Sequence, residues 1–123
     1  MKYMPQEIEV WYLLPALRKE LALCFVTEHK LKQKEAASIL GLTEAAVSQY
    51  LKSKRGKNIT FRPAEIELIK KTARKMVNDP KKASESLVAL CHQLRGSGTM
   101  CGIHKSVDCD VPENCSICKE HRK

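Results

Sequence analysis

The sequence predicts an all-α fold of about five helices, followed by an irregular segment that a metal holds in shape. Three observations predict it. Apolar residues recur at spacings of three and four, the period of a helix that buries one face. Prolines stand where helices begin. Five of the six cysteines (Cys91, Cys101, Cys109, Cys115 and Cys118) fall in the last 33 residues, where apolar residues are few.

At 123 residues the chain has the length of one small domain with a short appendage. It is 43% hydrophobic and 29% charged. No apolar run approaches the roughly 18 to 20 residues of a membrane span, so no membrane partner is expected. The opening residues reach Glu7 and Glu9 at once and lack the charged-then-apolar layout of a secretory signal, which predicts a cytoplasmic location. In that compartment a cysteine cluster points to metal before disulfides. The formal charge is +8 while aromatics make up only 5%, a balance that suits duplex nucleic acid better than a single strand read by stacking. The charge is concentrated. Residues 30–57 carry seven basic and two acidic side chains, and residues 1–29 carry three and four.

Taken in order, residues 1–29 read as two helical pieces, since Pro5 and Pro15 each suit a first turn. From Pro15, Leu17, Leu21, Cys24 and Phe25 form a core-facing stripe, on which Cys24 is a small buried hydrophobe outside the metal argument. Residues 33–51 read as two short helices joined at Gly41. Ala37 supplies the small residue that a steep crossing needs, and Gly41 tolerates the positive φ of the turn. Ala36, Ile39, Leu40, Leu42, Val47, Tyr50 and Leu51 close a miniature core around them, and Thr43 stands at an N-cap. Residues 53–58, with Gly56 and Asn58, are a loop: a small wing or a plain connector. Arg62-Pro63 starts the next helix, with Ile66, Ile69, Ala73, Met76 and Val77 as its stripe. Asn78-Asp79-Pro80 ends it and opens another, which Ser84, Leu87, Val88, Leu90, Cys91 and Leu94 carry to Arg95. Gly96-Ser97-Gly98 breaks that helix and divides the chain into a helical domain, 1–95, and a cysteine-rich tail, 96–123.

Ala37, Gly41, Leu42 and Val47, taken together, resemble the helix-turn-helix of the phage-repressor and Cro family of regulators, the xenobiotic-response-element type. The resemblance covers about 20 residues closely and extends loosely over 17–77. It implies that the second helix enters the major groove, with Thr43, Glu44, Ala45, Ser48, Gln49 and Lys52 facing base edges. Their chemistry fits that role. Gln49 can contact adenine bidentately, Ala45 a thymine methyl, and Ser48 base edges or a phosphate; Glu44 accepts from cytosine or favours the positive end of its own helix. Gln33 and Lys34 precede the motif's core, Lys32 lies just before it, and Lys54, Arg55 and Lys57 follow it, placed to meet phosphates. Recognition helices of this type act in pairs, so a homodimer on double-stranded DNA is expected. A plain packing hairpin is the alternative.

Two ligand sets compete in the tail. Cys101, Cys109, Cys115 and Cys118 give the all-thiolate shell of an iron-sulfur cluster of the 4Fe-4S kind, with Cys91 as a possible substitute for one of them. Cys101, His104, Cys115 and Cys118 instead form two knuckles that would hold a structural zinc and leave Cys109 unused. A metal-free thiol switch is the third reading. The tail also resembles, loosely, that of archaeal-type regulators with an amino-terminal helix-turn-helix and a carboxy-terminal cysteine cluster. The expected function is a dimeric transcription regulator whose cluster senses redox or iron status. A zinc-stabilised module binding protein or RNA stands as the other class. No phosphate-binding glycine loop and no paired carboxylates point to an enzyme or to a small-molecule substrate.

Overall fold

The structure is a computed structural model and describes residues 3–52, 59–95 and 97–107. Among the described residues every regular element is helical, as the apolar spacing predicts. No helix among them is long and apolar enough to cross a membrane.

The chain opens with α1 (Pro5–Ile8), a π-helical turn (Glu9–Leu13) and α2 (Leu14–Thr27). These run on without a loop, so the two helical pieces expected on either side of Pro15 are one continuous rod. The reason is local. Pro15 has no N–H to donate, and its ring would meet the carbonyl one turn back. The π-turn ends with the Leu14 N–H donating to the Glu9 carbonyl five residues earlier, which widens the rod just ahead of the ring. Ala16, Leu17, Leu21, Ala22, Cys24 and Phe25 are buried on one face of α2, in agreement with the stripe. Burying each large side chain there contributes about 1.5 to 3 kcal/mol. Lys30, at φ 58°, closes the rod in the left-handed conformation, and the Leu31 N–H reaches back 3.0 Å to the Phe25 carbonyl.

Two short helices follow, α3 (Gln33–Leu40) and α4 (Glu44–Leu51), and both pack on α2. Ala36 and Ala37 are buried at the crossing, where larger side chains would hold the rods apart. Gly41 caps α3 at φ 68°, and the Leu42 N–H bonds to the Ala37 carbonyl at 2.9 Å. Thr43 then caps α4, its hydroxyl accepting from the Ala46 N–H at 3.1 Å. Three other helices begin with a device not foreseen above: a Glu in the first turn accepts from the N–H of the residue before the helix. These are Glu7 for Met4, Glu35 for Lys32 and Glu65 for Arg62, at 2.9, 3.1 and 2.8 Å.

α5 (Pro63–Asn78) lies along α2 and buries Ile69, Ala73 and Met76. A 3-10 turn (Pro80–Lys82) reverses the chain into α6 (Ala83–Leu94), which packs back against α5 with Leu90, Cys91 and Leu94 buried and Val88 exposed.

The segment after Gly96 departs from the irregular tail expected there. Gly98–Val107 is a helix, α7, seated on α1 and the π-turn. Met100 is buried in the core and Ile103 packs against it. Two polar bonds fix α7 to distant residues: Thr99 donates to the buried Glu65 at 2.5 Å, and His104 Nε2 lies 2.8 Å from the Tyr3 carbonyl oxygen. The apolar surface that orders these residues is supplied by the helical bundle.

A Cβ at Gly41 would meet nothing within 4 Å, so the cost of a side chain there is purely conformational. Gly41→Ala should lower stability by about 1 to 2 kcal/mol and Gly41→Asn by less, because asparagine tolerates the left-handed region. Thermal melting of the two variants beside the parent chain checks the order.

Candidate nucleic-acid interface

The residues assigned to the groove separate cleanly from those that seat α4. Glu44, Ala45, Gln49 and Lys52 are exposed and Ser48 is half-exposed, at steps of one and four along the helix, so they share a face. Val47 and Tyr50 point the other way and are buried. Thr43 is exposed beside that face; while its oxygen accepts from Ala46, its hydroxyl proton is available to an outside acceptor. Glu44 is the first residue of α4, where a carboxylate meets the positive end of the helix. Gln33 and Lys34 are exposed on the first turn of α3. Lys54, Arg55 and Lys57 lie outside the described residues.

The exposed face of α4 is therefore small and polar, carries one cation, and offers donors and acceptors on short side chains. Such a surface can approach base edges closely. A larger apolar residue at Ala45 or Ser48 would hold the helix away from a groove floor.

Of the cysteines proposed as ligands, only Cys91 and Cys101 lie among the described residues. Cys101 is half-buried on α7 and Cys91 is buried on α6; both are free thiols, as is Cys24. Cys109, Cys115 and Cys118 lie outside the described residues. His104 stands three residues after Cys101 on α7, as a knuckle would need, but its Nε2 lies at hydrogen-bond distance from the Tyr3 carbonyl. An Nε2–H donor suits that contact and leaves the lone pair on Nδ1, the arrangement in which a histidine can still ligate a metal.

A different cluster went unread in the sequence. At the end of α2, Cys24, Glu28 and His29 bring one potential ligand atom each within 4.8 Å of the others. The spacing of four and five residues along one helix could have revealed it. Its chemistry is nonetheless that of a satisfied thiol. The Cys24 Sγ–H donates to Glu28 at 2.9 Å, and Lys70 pairs with the same carboxyl group at 3.6 Å. Burial, then the Glu28 hydrogen bond and charge, push the Cys24 thiol up to about 12. The hydrogen bond from Cys24, with Lys70 nearby, holds Glu28 below the usual carboxylate range. His29 Nε2 is buried without a partner. A metal here would have to strip a firmly held proton and work against the Lys70 ammonium.

No family model, curated protein or solved structure matches the chain.

The two buried thiols carry a direct test. Burial, with the charge of Glu9, pushes Cys91 up to about 11, while Arg18 and Arg95 pull the other way. From an ordinary value of 9.0, a rise to about 12 or about 11 leaves about a thousandfold or a hundredfold less thiolate at pH 8. In the reduced, metal-free protein, iodoacetamide at pH 8 should alkylate Cys24 last and Cys91 slowly. Both should react promptly in denaturant, with peptide mass spectrometry reading each site. Equal native and denatured rates at Cys24 would contradict the buried, hydrogen-bonded thiol.

Proposed function

We propose that the protein is a sequence-specific, double-stranded DNA-binding transcription regulator, acting as a homodimer, with α4 as the helix that enters the major groove. The observation that carries the reading is the division of α4 into a buried side, Val47 and Tyr50, and an exposed polar side that includes Glu44, Ala45, Ser48, Gln49 and Lys52. α3 lies against it across the Gly41 turn, and Gln33 and Lys34 on its first turn extend the polar surface toward a phosphate backbone. The concentration of positive charge in residues 30–57 supports the same placement, because phosphate neutralisation supplies much of the affinity of such proteins. Exposed Val10, Trp11 and Tyr12 on the π-turn offer apolar surface of the kind a dimer contact uses. The role is one of binding, and no enzymatic step belongs to it.

For the cysteines we favour the all-thiolate set, Cys101, Cys109, Cys115 and Cys118, around an iron-sulfur cluster of the 4Fe-4S kind, over the zinc set that replaces Cys109 with His104. The preference rests on Cys109, which the all-thiolate set uses and the zinc set leaves idle. When bound, the cluster supplies a redox-sensitive tie between α7 and the residues beyond it. Because α7 is seated on α1 and the π-turn, a change in that tie acts on the bundle that carries α4.

Two experiments test these readings separately. Gln49→Ala should weaken binding to a selected duplex by about 1 to 3 kcal/mol and relax preference at one base position. A salt titration against random competitor that showed no sequence preference at any ionic strength would remove the regulator reading. For the cofactor, anaerobically purified protein should show a broad absorption band near the violet-blue edge that Cys109→Ser abolishes and His104→Ala leaves in place. A colourless protein holding one zinc would overturn the cluster.

A further inference from the structure

The cleft between α2 and α6 is lined by two arginines and a single carboxylate. It is a cavity of about 370 Å³, within the lower range of small-molecule sites. One part of its wall is apolar, made by Leu14, Leu40, Leu87 and Val88. Another carries Arg18 and Arg95 with a single carboxylate, Glu9. One terminal nitrogen of Arg95 pairs with Glu9 at 2.9 Å. Among the described residues no carboxylate pairs with Arg18. The Nε atoms of both arginines are buried and have no hydrogen-bond partner.

A guanidinium cannot shed its proton at any ordinary pH, so a buried N–H without an acceptor remains a standing cost to the fold. Arg18 and Arg95 line the same cavity against a single carboxylate, Glu9, so its wall carries an excess positive charge. Their Nε atoms are enclosed by the protein, which leaves the terminal guanidinium nitrogens as the groups an oxyanion would meet. A bare inorganic anion would leave the leucines and Val88 wet, and a neutral apolar molecule would leave the excess charge unmet.

We propose that this cleft binds an organic monocarboxylate with an apolar body, its carboxylate held by Arg18 and Arg95 and its body laid against Leu14, Leu40, Leu87 and Val88. Arginine pairs with carboxylates in a fork geometry that fixes orientation, and the apolar wall then selects for chain or ring. Leu40 is the last residue of α3, so an occupant touches the seat of the α3–α4 pair, which would make it an effector of DNA binding. That consequence rests on the DNA-binding reading; the ligand site does not.

The full-length protein, titrated with octanoate and followed by the arginine Nε–H resonances in nitrogen-edited NMR, tests the site without DNA. Saturable shifts at Arg18 and Arg95 are expected, with octan-1-ol and inorganic phosphate each binding about tenfold more weakly or worse. Arg18→Met should keep the melting temperature of the ligand-free protein and lose octanoate affinity by about tenfold or more. A purely structural Arg18 would instead lower the melting temperature. Val88→Glu, at a position 68% exposed, leaves the core untouched and should weaken octanoate equally by repulsion. The proposal is overturned if octanoate does not saturate, if octanol or phosphate binds as well, or if both variants bind octanoate as the parent does.

Discussion

The structure depends on the apolar face of α2. Leu17, Leu21, Ala22 and Phe25 are buried along one side of a single rod, and α3, α4 and α5 all rest on that rod. The two shortest of these partners, α3 and α4, span eight residues each, below the roughly 12 to 15 residues at which an isolated helix becomes even marginally stable in water. Their helical state is therefore conferred by packing, and it persists only while the α2 surface is intact. The π-turn ahead of Pro15 belongs to the same constraint. It lets the rod continue through a residue that would otherwise end it, so α1 and α2 present one surface where two separate helices would have splayed.

From that seat the chemistry of α4 follows. A helix of about two turns pinned by Val47 and Tyr50 has little freedom to rotate, and its remaining positions are committed to one outward direction. The polar side is therefore presented rigidly, with Gly41 and Thr43 setting the angle at which the chain enters it. Rigid presentation of short side chains is what reading base edges requires, since each contact depends on fixed distances from the backbone. Under the proposed DNA-binding role, the charge around the pair would contribute attraction without sequence information, and the face of α4 sequence information with little charge.

What could be read from the sequence was local. The stripe through Leu17, Leu21, Cys24 and Phe25, the turn at Gly41 and the cap at Thr43 each depend on residues within a few positions of one another, and each lies where expected. Glu7, Glu35 and Glu65 were equally local, three residues after their caps, and were passed over because Met4, Lys32 and Arg62 are not cap-forming side chains. The order of residues 98–107 was not legible for a different reason. Two glycines and scattered apolar residues give a weak helical signal, and the surface that α7 covers is made by α1 and the π-turn at the other end of the sequence. The cleft between α2 and α6 was hidden in the same way. Arg18 and Arg95 are 77 positions apart in the sequence, and only the fold makes them neighbours of one cavity. The candidate DNA face was accessible because it lies on one short helix, whereas the cysteine ligand sets turn on residues whose meeting no local rule dictates.

The contacts that hold the ends of the bundle are also its longest-range ones. Arg95 meets Glu9 across 86 positions and His104 meets Tyr3 across 101. During synthesis α2 through α5 can assemble from neighbouring segments as they emerge. α1 must wait for almost the whole described chain before its own partner exists. Until then the inner side of α1, Ile8 among it, faces solvent. Among the described helices, the one latest in the sequence, α7, is thus the one that packs on the earliest, α1.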